Sequence, residues 1–287
     1  MIPGAFDYHR PQSVGDACRL LADLGEDARV VAGGHSLIPM MKLRMAAPEH
    51  LVDLQGIADL KGIRIDGNRV TIGAMTTQAD LIASSELSQK CPILAETSLQ
   101  IADPQIRNLG TLGGNVANGD PGNDMPALMQ VLNATYRIEN TSGARDVTAR
   151  DFYEAAFFTA LADGDVLTAI SFDLPAAGHG YSYQKQKRKI GDYATAAAAV
   201  ILEMSGGTCA KASIGLTNVG DTPLLAEAAS QALVGTSLDD AAVKAASAAA
   251  AAITAPANDG RGSAEFRSAL TGVMVARAIR QAQSRAN

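Results

Sequence analysis

The chain has 287 residues, 24 Lys+Arg against 30 Asp+Glu, a formal net charge of −6 and 47% hydrophobic residues, the make-up of a water-soluble globular protein of two or three compact units. The acidic balance, the 4% aromatic content and the lack of Trp exclude the basic footprint and stacking platform of a nucleic-acid binder. No apolar run reaches the roughly 20 residues of a membrane-spanning helix, and residues 1–10 hold no basic segment followed by an apolar core, so a cytoplasmic protein is expected.

Ser13 and Asp16 form a capping box ahead of Ala17, Leu20, Leu21 and Leu24, and Gly25 offers a stop, predicting a short amphipathic helix. Residues 28–31 read as a buried strand running into Ala32-Gly33-Gly34-His35-Ser36, after which residues 37–43 resume helical spacing. Another strand is expected at 51–54. Ile63 and Ile65 then face Val70 and Ile72 across Asp66-Gly67-Asn68, a hairpin signal, and the architecture changes near residue 56.

Thr77 with Asp80 opens one helix and residues 92–102 read as a second. Residues 103–124, DPQIRNLGTLGGNVANGDPGND, read as a long stretch without structure of its own, which inside a compact domain marks a binding loop. A helix at 126–132 and strands around 136–139 and 166–174 follow, and 175–180 punctuate the chain. Strands are expected at 181–185, 197–204 and 208–217, then mostly helix. In 241–252 only Val243, Lys244 and Ser247 are not Ala, the composition of a helix that lets a neighbour approach closely. The expected units are an α/β segment over 1–55, an α+β segment over 56–177, and a small antiparallel sheet with a helix bundle over 178–287.

The cysteines Cys18, Cys91 and Cys209 form no C-x-x-C pair and read as core thiols. They are too few for an iron–sulfur cluster, which takes about four thiolates. His9, His35, His50 and His179 have no ligand spacing, so no protein-bound metal is expected. Asp53 lies twenty residues after Gly33, as a ribose-binding acid would, but the chain has no G-x-G-x-x-G and no sustained strand–helix alternation.

Two glycine pairs stand out: Gly33-Gly34, followed by His35-Ser36, and Gly113-Gly114, followed by Asn115. A Gly-Gly turn before a helix lets backbone N–H groups approach a diphosphate with no Cβ in the way, and two such turns suit one extended dinucleotide. His35 either shapes its turn or touches the cofactor. Lys185, Lys187 and Lys189 would share a strand face with Tyr181 and Tyr183, as a solvated face, as a balance for phosphate charge, or as a dock for an acidic partner. Gly191-Asp192-Tyr193-Ala194 sets an aromatic ring beside a small residue, suited to lie flat on a flavin.

Taken together, Val30-Val31-Ala32-Gly33-Gly34-His35-Ser36-Leu37, Thr111-Leu112-Gly113-Gly114-Asn115, Asp124 and the basic run into Gly191-Asp192-Tyr193-Ala194 resemble the FAD-binding medium subunit of molybdenum hydroxylases, along essentially the whole chain. AGGHSLIPMMKLR, ADPQIRNLGTLGGNVANGDPGNDMPAL and KRKIGDYATAAAA look nearest to its aerobic carbon monoxide dehydrogenase branch. The resemblance implies an α+β fold of the vanillyl-alcohol-oxidase type, with FAD held noncovalently between two α/β subdomains and a C-terminal domain completing the chain. It further implies that Ala32, Gly33, Gly34, His35, Ser36 and Leu37 with Thr111, Leu112, Gly113, Gly114 and Asn115 hold the pyrophosphate and ribityl region. Asp124 would bind the adenosine side, Tyr193 would lie against the isoalloxazine, and Lys185 would be the basic contact.

The implied partners are a large subunit with the molybdenum cofactor and a small subunit with [2Fe–2S] clusters, in a dimer of heterotrimers with no nucleic acid. The complex would be cytoplasmic or peripheral at the inner membrane face. The expected role is electron transfer from the clusters through FAD to a quinone-type acceptor. The alternatives are the FAD subunit of a different molybdenum hydroxylase, a self-contained FAD oxidase of alcohols or sugars, and a flavin-free scaffold.

Overall fold

Three successive stretches of chain each build a sheet of their own in the computed structural model, which describes residues 2–287. The first stretch carries β1 (Asp7–His9), α1 (Val14–Leu24), β2 (Ala28–Val31), α2 (Leu37–Lys42) and β3 (His50–Asp53). Its strands run parallel in the order β1-β3-β2. Ser13 Oγ accepts the Asp16 N–H and Gly25 ends α1 at φ +62°, as the capping residues predict. Ala17, Cys18 and Leu21 of α1 are buried with Ala28, Val52 and Leu54.

The second stretch opens with the expected hairpin, β4 (Ile63–Asp66) on β5 (Arg69–Gly73), in which Ile63 pairs with Ile72 and Ile65 with Val70. Helices α3 (Gln78–Ala83), α4 (Ser85–Lys90), α5 (Ile93–Gln100), α6 (Pro104–Arg107), α7 (Leu112–Ala117) and α8 (Asp124–Val131) follow. Then come β6 (Thr135–Asn140), β7 (Gly143–Thr148), the small ribbon β8 (Tyr153–Ala155) with β9 (Phe158–Thr159), and β10 (Val166–Asp173). The sheet is antiparallel in the order β4-β5-β10-β6-β7, and its inward residues, among them Val70, Ile72, Tyr136, Ile138, Ile170 and Phe172, form one core with the helices.

Residues 103–124 are not structureless, contrary to the sequence expectation. Asp103 Oδ1 accepts the Ile106 N–H and Pro104 occupies the first turn of α6, while Thr111 Oγ1 accepts the Gly114 N–H to start α7. These are ordinary start signals masked by the surrounding Gly and Asn. The expected helix over 92–102 is shorter, ending at Gln100, and Ala102 takes a left-handed φ of +43°. Helix α4 and strands β7, β8 and β9 carry too few apolar residues to show a periodic pattern.

The third stretch holds β11 (Gly180–Gln186), β12 (Ala196–Ser205), β13 (Thr208–Thr217), β14 (Leu224–Leu225), α9 (Glu227–Gln231), α10 (Asp240–Ala252) and α11 (Ala264–Arg285). The sheet is antiparallel in chain order. Both faces of β12 are covered: Ala197, Ala199 and Ile201 join the central core, and Ala196, Ala198, Val200 and Leu202 join the core under α10 and α11. Alanine suits a strand squeezed from both sides, because larger side chains would hold the layers apart. Ala246 and Ala250 of the alanine-rich α10 are buried on the same side. Strand β11 ends at Gln186, so Lys185, Lys187 and Lys189 do not line one strand face as expected; Lys187 and Lys189 stand on the turn beyond it.

Candidate cofactor-binding site

A cleft of about 940 Å³ is lined by all three stretches of the chain, a volume at the top of the range usual for small-molecule and cofactor sites. The β2–α2 turn, the 101–124 helices, the 157–165 segment, Lys185 and Gly191-Asp192-Tyr193 form its walls. Among the residues expected from sequence, Ala32, Gly33, Gly34, His35, Ser36, Leu37, Thr111, Gly114, Asn115, Asp124, Lys185 and Tyr193 face it. Leu112 and Gly113 do not line it: Leu112 is in the core, and a Cβ on Gly113 would sit 2.5 Å from that of Ala74.

The two glycine pairs have different tasks. At the first, Gly34 takes φ +73°, and the backbone N–H groups of Gly33, Gly34, His35, Ser36 and Leu37 find no protein acceptor among the described residues. Successive unpaired N–H groups in such a turn make an anion-binding concavity. At the second, the N–H groups of Leu112, Gly113, Gly114 and Asn115 already donate to Thr76 O, Ala74 O, Thr111 Oγ1 and Thr111 O. That helix start therefore has no backbone donors left for a diphosphate, contrary to the expectation for both pairs. Its glycines serve close approach instead. A Cβ on Gly33 would lie 2.2 Å from Leu109 O, and one on Gly114 would lie 3.2 Å from Ala32 Cβ, so the glycines let the two loops touch. Asn115 still reaches the cleft, with its Oδ1 held by the Met125 N–H at 3.1 Å and its Nδ2 without a protein acceptor among the described residues.

Next to Asn115, whose backbone oxygen accepts from Asn123 Nδ2 at 2.8 Å, Lys185 Nζ contacts Asp124 Oδ2 at 2.8 Å and Gln100 O at 3.2 Å, and the Tyr183 hydroxyl donates to Asp124 Oδ1. Burial raises the Asp124 carboxyl above its usual range, although Lys185 and Tyr183 pull it the other way. Burial likewise lowers the neighbouring Lys187 ammonium, with the repulsion of Lys185 adding to it. Tyr193 also lines the cleft, its ring packed on Gly122, where a Cβ would meet Tyr193 Cδ1 at 2.9 Å. Burial and then the charge of Asp120 raise its hydroxyl. Asp124 and Tyr193 both line the cleft, with the Tyr193 ring packed on Gly122, two residues before Asp124 in the chain.

Sequence reasoning missed Gln78, Asn118, Asn123, Phe157 and Phe158, all on the cleft wall. Phe157 and Phe158 stay exposed on the β8–β9 ribbon, Phe157 with a left-handed φ of +65° and its N–H bonded to Gly119 O at 2.8 Å. A left-handed bulky residue is costly and collects at functional sites; adjacent phenylalanines in a chain with only 6 were the available signal.

A family model described as the FAD binding domain in molybdopterin dehydrogenase matches residues 4–175, and one described as the CO dehydrogenase flavoprotein C-terminal domain matches residues 181–282. The carbon monoxide dehydrogenase medium chain of Afipia carboxidovorans is 64% identical, over 100% of this chain and 99% of that one. The medium chain from Hydrogenophaga pseudoflava is 48% identical, over 99% of each. A solved structure of reconstituted CO dehydrogenase from Oligotropha carboxidovorans contains a chain that superposes with a TM-score of 0.99 at 64% identity, covering 100% of both. The chain therefore belongs to the family of FAD-binding flavoprotein subunits of the molybdopterin dehydrogenases.

Proposed function

We propose that this chain is the FAD-carrying medium subunit of an aerobic carbon monoxide dehydrogenase and the point at which electrons leave that complex. The observation that carries this reading is 64% identity with a carbon monoxide dehydrogenase medium chain along the entire sequence. The cleft agrees with it chemically: unpaired backbone donors suit a diphosphate, and apolar and aromatic walls suit rings. Oxidation of CO (CO + H2O → CO2 + 2 H⁺ + 2 e⁻) belongs to a large partner subunit with the molybdenum cofactor, and [2Fe–2S] clusters of a small subunit bring the electrons here. FAD takes up electrons singly and releases them in pairs, which joins one-electron clusters to a quinone-type acceptor.

In this reading the N–H groups of Gly33 to Leu37 hold the diphosphate, and Asn115 Nδ2 donates beside them. Asp124 would not bind adenosine; it would fix Lys185, and the two would stand as a mutually neutralised pair on the wall that holds the flavin half. Tyr193 would lie against the flavin ring, and residues 25–30 and 161–165, which also line the cleft, would hold the adenosine. FAD is held without a covalent bond to His35. The assembly is a dimer of heterotrimers in the cytoplasm or on the inner membrane face; no described helix is long and apolar enough to cross a membrane.

The test is anaerobic addition of CO to the complex purified through this chain from its host, with the visible flavin band followed. Bleaching is the expected result. A band that only dithionite bleaches moves the reading to another molybdenum hydroxylase, and a complex with no flavin band refutes it.

A further inference from the structure

We infer that Arg261, on the loop before α11, is a positioning residue that holds Tyr193 in the cleft wall. The inference rests on the reading that Tyr193 meets the flavin half of bound FAD. The Arg261 guanidinium lies over the Tyr193 ring, 5.6 Å from its centroid, within reach for a cation–π contact. Asp259 Oδ2 holds it at 3.2 Å, and Asp192 Oδ1, of the residue preceding Tyr193, lies at 4.0 Å. The Arg261 N–H also donates to Asp259 Oδ1 at 2.7 Å. The guanidinium therefore has few alternatives to resting on the ring.

The loops that meet at this point are tied from behind by Arg267 of α11, which is buried. Its guanidinium donates to Thr195 O at 3.2 Å, to Ala257 O at 2.8 Å and to Asn218 O, and lies 3.3 Å from Asp259 Oδ2. Thr195 lies two residues after Tyr193, Ala257 lies four before Arg261, and Asn218 donates its own N–H to Pro121 O at 2.9 Å, next to the Gly122 on which the Tyr193 ring packs. The C-terminal domain thus reaches the cleft through a continuous run, Arg267 to Asp259 to Arg261 to the Tyr193 ring. Neither Arg261 nor Arg267 lines the cleft, so their influence on a bound cofactor passes through the wall residues they hold, Tyr193 by the ring contact and Asp192 by the longer ion pair.

The test uses the purified FAD-loaded complex with R261A, R261K, Y193A and the double variant R261A/Y193A. The readouts are flavin fluorescence and the rate of FAD release. Freeing the ring in R261A is expected to relieve its quenching of flavin fluorescence and to speed FAD release about threefold to tenfold, as the loss of one cation–π contact would allow. R261K, which keeps a cation over the ring without the fork to Asp259, falls between R261A and the natural protein. Because Arg261 acts through Tyr193, the double variant should match Y193A, with no added effect. If R261A leaves both readouts unchanged while Y193A alters them, or if the double variant exceeds Y193A by the full R261A effect, the inference is overturned. If Y193A itself changes neither readout, Tyr193 does not meet the flavin, and it is the underlying placement that fails. R261M replaces R261A where the smaller side chain prevents assembly of the complex.

Discussion

Lys185 and Asp124, both marked in the sequence as candidate contacts to a cofactor, are each other's partner: Nζ and Oδ2 are 2.8 Å apart, and the two side chains are 1% and 6% exposed. Such a pair gains little over two apolar residues but is costly to break, because one charge is then left alone. Lys185→Met should therefore cost roughly 3 kcal/mol and lower the FAD content of the purified protein. Adding Asp124→Leu should recover most of the stability but not the flavin. Thermal unfolding beside the 450 nm region of the flavin spectrum separates the two effects; a double variant as unstable as the single one would refute the pairing argument.

Gly33 is needed for contact as well as for turn geometry. Its φ is negative, so the argument is spatial: a methyl group would meet Leu109 O at 2.2 Å and Gly110 Cα at 2.8 Å, both backbone atoms that cannot rotate away. Gly33→Ala should cost about 1–3 kcal/mol, as overpacking does, and should empty the protein of FAD by parting the two loops. Gly114→Ala meets Thr111 Oγ1 at 2.9 Å, which a side-chain rotation can move, and Ala32 Cβ at 3.2 Å, a milder clash, and should retain more FAD. The FAD-to-protein ratio of the two variants checks this order.

Glu96 joins the central helices to the C-terminal domain at two points. Its Oε1 accepts the Tyr183 N–H at 2.6 Å, and its Oε2 pairs with Arg285, whose guanidinium also lies 4.5 Å from the Tyr181 ring centroid. Glu96→Ala should cost about 1–3 kcal/mol, because a backbone donor in β11 loses its acceptor. Arg285→Ala removes a partly exposed ion pair and should cost about 1 kcal/mol or less. Equal losses in unfolding midpoint for the two variants would contradict the assigned role of the Tyr183 N–H.

The cleft was legible where local rules and local structure coincide. Ser13, Gly25, Thr77 and the Asp66-Gly67-Asn68 turn act on neighbours within a few residues, so the capped helices and the first hairpin stand where the sequence places them. The Gly33-Gly34 turn was readable for the same reason. The second glycine pair was not, because whether the Leu112 and Gly113 N–H groups are free depends on Thr76 and Ala74, in the distant turn between β5 and α3. Asp124 and Lys185 were visible as polar residues worth noting, but a separation of sixty-one positions hides that each neutralises the other. Phe157 and Phe158 enter the wall through a ribbon too short to leave a periodic signal.

Asp165, on the cleft wall, offers a pH-dependent test. Burial works to raise its carboxyl, but hydrogen bonds from Arg145, the Ala162 N–H and Asn140, at 2.7–3.1 Å, outweigh it and hold the group below its ordinary value. A carboxyl depressed by folding adds stability above its unfolded pKa, near 3.9, and that contribution is lost as pH falls toward and through the folded value. Asp165→Asn keeps the shape but weakens the Arg145 contact, so it should lower stability by roughly 2 kcal/mol at pH 7, in the range of hydrogen bonds to charged groups. The difference should then shrink as pH drops below about 4, where the natural carboxyl also takes up a proton. Unfolding midpoints of both proteins from pH 7 to pH 3 measure this gap, and a gap that stays constant to pH 3 would show that the charge of Asp165 is not what stabilises this wall.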